Sequence, residues 1–176
     1  MMIVDPTVLE LPRGALVLLI GPTGAGKTTF AGRYFRSTEV LSSDALRAVV
    51  SDDEADMAAT ADAFELLHLA ASRRLARGLL TVVDATNVRA DARTPLLELA
   101  RRYRSPAVAV VFDLPVEVAA ARNGQRPGRS VPRRVLRQQQ VDLQRTLGEL
   151  AAEGFTRLWL LRTPSAVDAL EVRRGA

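Results

Sequence analysis

An apolar run that leads directly into a glycine-rich turn constrains the fold more than any other feature of the chain. Residues 15–20 are all aliphatic, which is typical of a strand buried on both faces of a sheet. Residues 21–28 are Gly-Pro-Thr-Gly-Ala-Gly-Lys-Thr and match the pattern G-x-x-x-x-G-K-[ST] in full. Since residues 27–34 can form a helix, the chain has a strand, this turn and a helix in the order of a P-loop.

The residue types of this turn suit the binding of a nucleoside triphosphate such as ATP. Glycines let the backbone curl so that successive N–H groups point at phosphate oxygens, and the start of the helix adds positive potential. Lys27 can reach the β- and γ-phosphates, and the Thr28 hydroxyl can ligate Mg²⁺. Lys27 is also the only lysine among 24 basic residues. The predicted nucleotide-binding residues of the loop are Gly21, Thr23, Gly24, Ala25, Gly26, Lys27, Thr28 and Thr29.

Composition limits the classes of function. The 176 residues, 48% hydrophobic and 25% charged, fit one globular domain. Because cysteine is absent and His68 is the single histidine, thiol nucleophiles, thiolate zinc sites and multi-histidine metal centres are excluded. His68 and Trp159 lie among apolar residues and are interpreted as packing residues. The apolar runs are too short to span a membrane and the N-terminus lacks a signal-peptide pattern, so we expect a cytoplasmic protein without a membrane partner.

Strands and helices are predicted to alternate along the rest of the chain. The further predicted strands are residues 39–41, 79–83, 107–112 and 155–161. The further predicted helices are residues 64–75, 91–102 and 115–122, a long helix capped by Ser130 and ended by Gly154, and a last helix from Pro164. This alternation predicts an α/β fold in one domain, residues 1–176, with a parallel sheet in the strand order 2-3-1-4-5 and helices on both faces. Ligands of such sheets bind at the carboxyl ends of the strands.

Asp84 is a second candidate for the nucleotide site, because it ends the predicted strand 79–83 with a carboxylate. Together with Thr28 it is a predicted ligand of Mg²⁺, either directly or through water. An acid that caps the next helix is the alternative interpretation. Thr86 and Asn87, which follow Asp84, either orient a substrate or cap that helix.

A further acid and an arginine follow the second predicted strand. Asp44 and Arg47 are three residues apart and therefore share a helical face. Asp44 can accept a proton from an attacking hydroxyl while Arg47 holds an anionic group of the substrate. An ion pair on the surface is the alternative. The neighbouring acidic run at residues 52–56 is interpreted as a solvated loop.

Positive charge is concentrated in one segment. Between Val118 and Val141 the chain has six arginines and no acid, so the remaining residues sum to −2 against a total of +4. The segment about residues 122–137 also contains Gly124 and Gly128, which favours a mobile lid that folds over a triphosphate. A basic RNA-binding or solvated segment is the alternative. The arginines are Arg122, Arg126, Arg129, Arg133, Arg134 and Arg137.

Several segments together resemble a known family. They are residues 17–30, 41–47, 51–54, 79–87 and 108–112, with Arg122, Asn123 and Arg126. In this order they are similar to the 5′-hydroxyl polynucleotide kinase domain of the bacterial RNA-repair polynucleotide kinase-phosphatase enzymes. The resemblance implies a P-loop kinase fold and transfer of the γ-phosphate of ATP or another NTP to the 5′-OH end of RNA or DNA.

The resemblance also implies roles for individual residues. Lys27 and Thr28 would bind phosphates and Mg²⁺, Asp44 would be the general base, and Arg47 would contact a substrate phosphate. Arg122 and Arg126 would be catalytic lid residues that grip the donor phosphates.

Some alternatives remain open. In that family the kinase is commonly the N-terminal part of a longer chain, so we expect either a free-standing kinase or the kinase domain of a longer end-healing enzyme. A kinase of a small metabolite and a non-catalytic, nucleotide-dependent RNA-binding module are the competing functions. Asp44 with Arg47 distinguishes the enzymes from the module, since a binding module needs no positioned base.

Overall fold

The computed structural model describes residues 2–125 and 131–175. The strands are β1 (Met2–Val4), β2 (Val8–Leu11), β3 (Leu16–Ile20), β4 (Val40–Ser42), β5 (Thr81–Asp84), β6 (Ala107–Phe112), β7 (Arg157–Leu161) and β8 (Glu171–Arg174). The α-helices are α1 (Lys27–Tyr34), α2 (Ser43–Ser51), α3 (Thr60–Leu75), α4 (Ala90–Arg102), α5 (Val116–Gly124), α6 (Arg133–Leu147) and α7 (Pro164–Asp168). Short 3-10 turns cover Ser37–Glu39, Met57–Ala59 and Leu150–Ala152.

A parallel sheet occupies the centre of the molecule, and its order among the described residues is β4-β5-β3-β6-β7-β1. The predicted α/β fold is confirmed, and the five predicted strands follow the predicted order 2-3-1-4-5. The complete order differs from the prediction because β1 adds an edge strand beside β7. Helices α1, α2, α4 and α5 each follow a strand of this sheet, so the loops at the carboxyl ends of β3, β4, β5 and β6 meet along one edge.

Alternate residues of β3 enter two separate cores. Leu16, Leu18 and Ile20 pack with α3, α4 and α6, whereas Val17 and Leu19 pack with α1 and the β2 segment. Because side chains alternate between the faces of a strand, a strand covered on both faces must be apolar throughout. This explains the continuous apolar run that predicted β3.

Strands β2 and β8 form a separate two-stranded parallel sheet that the sequence analysis did not predict. The last predicted helix is correspondingly short, since α7 ends at Asp168 and the chain returns as β8. The returning segment is fixed to α1, because the Tyr34 hydroxyl donates a hydrogen bond of 2.6 Å to the Leu170 carbonyl oxygen. Leu9 and Leu11 of β2 are buried beneath it.

Helix boundaries differ from prediction mainly after α5. Helix α6 ends at Leu147, and a 3-10 turn replaces the last part of the predicted long helix. Pro132 precedes α6, and the predicted cap Ser130 lies outside the described residues. No helix in the described ranges is long and apolar enough to cross a membrane.

Candidate functional site

The loop between β3 and α1 has the backbone geometry that the P-loop pattern predicts. Gly24 and Gly26 have φ angles of +83° and +97°, a region that favours glycine. A Cβ atom on Gly24 would lie 2.4 Å from the Ala119 carbonyl oxygen of α5. The start of the loop is held by the Gly21 N–H, which donates to the Thr86 carbonyl oxygen at 2.9 Å.

Lys27 begins α1 and is buried against the loop. Its ammonium nitrogen donates to the carbonyl oxygens of Gly21 and Pro22 at 2.8 and 2.9 Å. The first turn of α1 contains no acidic residue, and its N-cap is the left-handed Gly26. The lysine ammonium and the backbone N–H groups of the first turn therefore lie together at a helix start, which is an arrangement that binds anions.

Thr28 and Asp84 meet between α1 and β5. The Thr28 hydroxyl donates to Asp84 Oδ2 at 2.8 Å, and Asp84 is buried at the end of β5. A hydroxyl and a carboxylate are hard oxygen donors, and Mg²⁺ usually takes one or two protein ligands together with phosphates and water. The two side chains fit that ion. Asp84 does not cap α4, whose N-cap is Arg89.

Asn87 has a structural position rather than a capping one. Its φ is +49°, its side chain is buried, and its Nδ2 donates to the Leu19 carbonyl oxygen at 2.9 Å. It therefore ties the loop after β5 to β3. Thr86 lines the adjacent cavity.

A cavity of about 610 Å³ brings most of the predicted site residues together. Its lining includes Lys27, Thr28, Asp44, Arg47, Asp84 and Arg122. Residues of the P-loop, α2, β5 and α5 thus line one cavity at the carboxyl edge of the sheet.

Asp44 and Arg47 form an ion pair on α2. The pair is not a surface feature, because Arg47 is only 4% exposed and both residues line the cavity. Arg47 Nε also donates to the Glu54 carbonyl oxygen at 2.8 Å. Asp52, Asp53 and Glu54 of the acidic run are exposed, Asp56 is half-buried, and the backbone of the run holds the arginine in place.

Arg122 lies in the last turn of α5 and reaches the P-loop. Its guanidinium donates to the Ala25 carbonyl oxygen at 3.4 Å. Next to it, Asn123 bonds both the N–H and the carbonyl oxygen of Val131, at 3.1 and 2.9 Å. Arg126, the other predicted lid arginine, lies outside the described residues.

Sequence reasoning missed Gln139, which belongs to the site. Gln139 Oε1 accepts a hydrogen bond of 2.9 Å from the Thr23 N–H of the P-loop, and its side chain lines the cavity. The signal was present in the sequence, since Gln139 and Gln140 fall between Leu136 and Leu143 on the core-facing side of α6. Amides at helix positions that should be apolar indicate a polar partner.

Arg93 was missed as well. It is 0% exposed, and its Nε donates to Glu153 Oε2 at 2.7 Å. Its Nη1 donates to the Asn87 carbonyl oxygen at 2.8 Å. Arg93 therefore connects the loop after β5 to the turn after α6. Its position on the apolar face of α4, three residues before Leu96, was the available signal.

His68 and Trp159 pack as the sequence analysis interpreted them. Trp159 is buried in β7. The His68 ring lies 6.1 Å from the Phe64 ring, its Nε2 has no partner among residues 2–125 and 131–175, and burial lowers the pKa of His68. Neither residue lines the cavity.

A smaller cavity of about 230 Å³ lies beside the P-loop helix, between α1 and α7. Phe30, Arg33, Tyr34 and Val167 contribute to its walls, and Arg122 borders both cavities. It offers apolar and aromatic surface near one end of the P-loop.

Known proteins share the fold of this chain. The family model of the AAA domain matches residues 16–146. No curated protein matches the sequence. A chain of the Pnkp1/Rnl/Hen1 RNA repair complex is similar in structure, with a TM-score of 0.67, 22% identity, and coverage of 80% of this chain and 47% of that chain. The present chain thus spans about half the length of that relative.

Kinases are also similar in structure. A putative kinase from Chloroflexus aurantiacus has a TM-score of 0.56 and 19% identity, with 84% of this chain and 87% of that chain covered. The Mycobacterium tuberculosis APS kinase CysC, in complex with AMPPNP and APS, has a TM-score of 0.52 and 20% identity, with 87% and 90% covered. The fold is that of P-loop kinases, and the resemblance to the RNA-repair kinases is confirmed at the level of the fold.

Proposed function

Since the chain belongs to the AAA domain family, we propose that it is a kinase that transfers the γ-phosphate of ATP or another NTP to the 5′-hydroxyl end of RNA or DNA. The observation that carries this proposal is the Asp44–Arg47 pair in the wall of the cavity that also contains Lys27 and Thr28. A carboxylate in the same cavity as the phosphate-binding loop suits a hydroxyl acceptor, whereas a nucleotide-dependent binding module needs no such carboxylate.

The donor phosphates bind at the P-loop in this proposal. Backbone N–H groups and Lys27 contact the phosphate oxygens, and Arg122 adds positive charge from α5. Thr28 and Asp84 would hold Mg²⁺, which would supply positive charge to neutralise the triphosphate. The lid over residues about 122–137 stays a prediction, because residues 126–130 lie outside the described residues and residues 133–137 belong to α6. The base of the donor takes the smaller cavity, whose aromatic and apolar walls suit a planar ring.

The acceptor binds on the α2 side of the cavity. Asp44 takes the proton of the 5′-hydroxyl as its oxygen attacks the γ-phosphorus, and the bond from that phosphorus to the β,γ-bridging oxygen breaks. ADP leaves with the electron pair of that bond. Arg47, whose Nε donates to the Glu54 carbonyl oxygen at 2.8 Å, binds a phosphate of the acceptor strand in this proposal.

Apolar walls support a nucleic-acid acceptor over a small polar metabolite. Met57 is 68% exposed at the cavity, and Phe64 lines it from α3. Val131 and Val135 line it from the α6 side. Apolar surfaces with an aromatic ring suit nucleobases, whereas a sugar or a small acid would need polar groups at these positions. The similarity to the RNA repair complex is a second support.

A label-transfer assay tests the proposal. The protein is incubated with γ-labelled ATP, Mg²⁺ and a 5′-OH oligonucleotide of RNA or DNA, with the same oligonucleotide carrying a 5′-phosphate as the matched control. We expect label on the 5′-OH ends alone. Nucleotide binding without transfer would contradict the kinase proposal, and transfer to small alcohols but not to oligonucleotides would support the metabolite kinase instead.

A further inference from the structure

Gln139 is held in a defined orientation at the P-loop. Its Oε1 accepts from the Thr23 N–H at 2.9 Å, across 116 residues of sequence. Because a backbone N–H can only donate, the oxygen end of the amide must face Thr23. The NH₂ end, which can only donate, is therefore left for a different partner. Gln139 lines the 610 Å³ cavity.

Helix α6 cannot easily withdraw this side chain, because polar bonds hold the part of the helix that follows it. Gln140 and Gln144 each donate to Asp113 Oδ1, at 3.2 and 2.6 Å. Near the end of the helix the Thr146 hydroxyl donates to the Val88 carbonyl oxygen at 2.7 Å. Gln139 therefore projects from a rigid element, as a group that must hold a reacting centre requires.

The position of Thr23 indicates which phosphate the amide meets. The Lys27 ammonium, which in a P-loop reaches the β- and γ-phosphates, contacts the carbonyl oxygens of Gly21 and Pro22, the residues immediately before Thr23. Asp44, the proposed base, lines the same cavity. Thr23 and Gln139 thus lie at the terminal-phosphate end of the loop, on the side of the acceptor.

We propose that Gln139 is a further catalytic residue, whose Nε2 donates a hydrogen bond to a non-bridging oxygen of the γ-phosphoryl group while Oε1 remains on Thr23. This proposal rests on triphosphate binding at the P-loop and is independent of the identity of the acceptor. A donor aimed at the γ-phosphoryl oxygens stabilises the charge that spreads over them during transfer.

Comparison of ATP with ADP tests the contact, because ADP lacks the γ-phosphate. Gln139→Glu keeps an acceptor for Thr23 but presents a negative oxygen to the phosphate. We expect it to weaken ATP binding more than about tenfold and ADP binding less than about threefold. Gln139→Ala should weaken ATP binding a few-fold and lower kcat about 10- to 100-fold. Gln138→Ala is the matched control, since Gln138 Nε2 donates to Asp142 at 2.9 Å on the exposed side of α6.

The outcomes separate three explanations. If the Gln139 variants lose affinity for ATP and for ADP equally and have a lowered Tm, the residue only supports the loop. If neither nucleotide affinity nor kcat changes, the proposal is also overturned. Both binding constants are measured without acceptor. A wild-type protein that binds ATP but phosphorylates no 5′-OH end would contradict the proposed function alone, whereas failure to bind either nucleotide would contradict both.

Discussion

Single glycines decide whether the P-loop can adopt its shape. Gly24 has a φ of +83°, and a Cβ atom added at this position would lie 2.4 Å from the Ala119 carbonyl oxygen. We expect Gly24→Ala to weaken ATP binding more than about tenfold and to lower the free energy of unfolding by about 1–3 kcal/mol, measured by nucleotide titration and urea denaturation. Gly32→Ala is the control on the helix that follows the loop, since nothing lies within 4 Å of its added Cβ, and it should stabilise the protein by about 0.5–1 kcal/mol. Wild-type ATP affinity in the Gly24 variant would contradict the expectation.

A second prediction for a single residue concerns Asp44. Asp44→Asn retains an oxygen for Arg47 but cannot take a proton, so kcat should fall about 10²- to 10⁴-fold while ATP affinity stays within about twofold. Steady-state kinetics and nucleotide titration check this. Asp52→Asn is the control, because Asp52 is exposed at the end of α2 with a φ of +59° that asparagine tolerates. A parallel loss of ATP affinity in Asp44→Asn would place this carboxylate in the donor site instead.

The sequence could identify a site residue when that residue belongs to a contiguous pattern or when its partners are close in the chain. Lys27 and Thr28 are fixed by eight consecutive positions, and Asp84 follows from the strand that it ends. Gln139 could not be assigned, because its partner is Thr23, 116 residues away. The polar positions on α6 show that a partner exists, but only the folded chain identifies it.

At the scale of elements, Arg93 is the main connection between α4, the loop after β5 and the turn after α6. Arg93→Met would leave the Glu153 carboxylate, 16% exposed, without its cation. We expect a loss of about 3–5 kcal/mol in the free energy of unfolding, measured by urea denaturation, since one partner of a buried pair is removed. The double variant Arg93→Met with Glu153→Met should recover part of this loss.

The control for Arg93 is Arg89, the N-cap residue of the same helix, α4. Arg89 and Asp91 form an ion pair in which each side chain is 66% exposed. Arg89→Met should therefore change stability by less than about 1 kcal/mol. Equal losses for Arg93→Met and Arg89→Met would contradict the assignment of Arg93 as a buried connection.

Elements were predictable when their own residues specify them. Strand β6 and helix α1 match their predicted bounds residue for residue, because one is a run of six buried apolar residues and the other begins at the P-loop. Strands β1, β2 and β8 have three or four residues each. Strand formation there depends on pairing with distant segments rather than on local preference, so the sequence pattern did not indicate them.

At the scale of the whole molecule, Glu39 links the turn before β4 to β8. Burial alone would raise the pKa of Glu39, but hydrogen bonds from Arg174 and from the Arg36 N–H outweigh it and lower the pKa below its ordinary value of 4.5. A carboxyl group with a lowered pKa stabilises the folded state above its unfolded pKa, and this contribution is lost as pH falls through the folded value. Arg174 bonds both Glu39 oxygens at 2.7 and 2.9 Å.

We therefore expect Glu39→Gln to be less stable than the wild type at pH 7, with a difference that shrinks as pH falls below 4.5. Thermal unfolding from pH 7 to pH 3 measures this. Glu10→Gln is the control, since the ion pair of Glu10 with Arg157 is exposed on both sides and its loss should cost less than about 1 kcal/mol. A Glu39→Gln difference that stays constant with pH would contradict the prediction.

The parallel pairing of β2 with β8 has a mechanical consequence. Val8 lies opposite Glu171, and Leu11 opposite Arg174, so residue 7 and residue 175 are at opposite ends of this ribbon. Tension between those two residues pulls along the strands and loads the inter-strand hydrogen bonds together, in shear. Tension between residues 7 and 171 would instead open the same bonds one after another. Single-molecule pulling should show a higher rupture force for the first pair of attachment points, which would make this small ribbon a clamp against stretching.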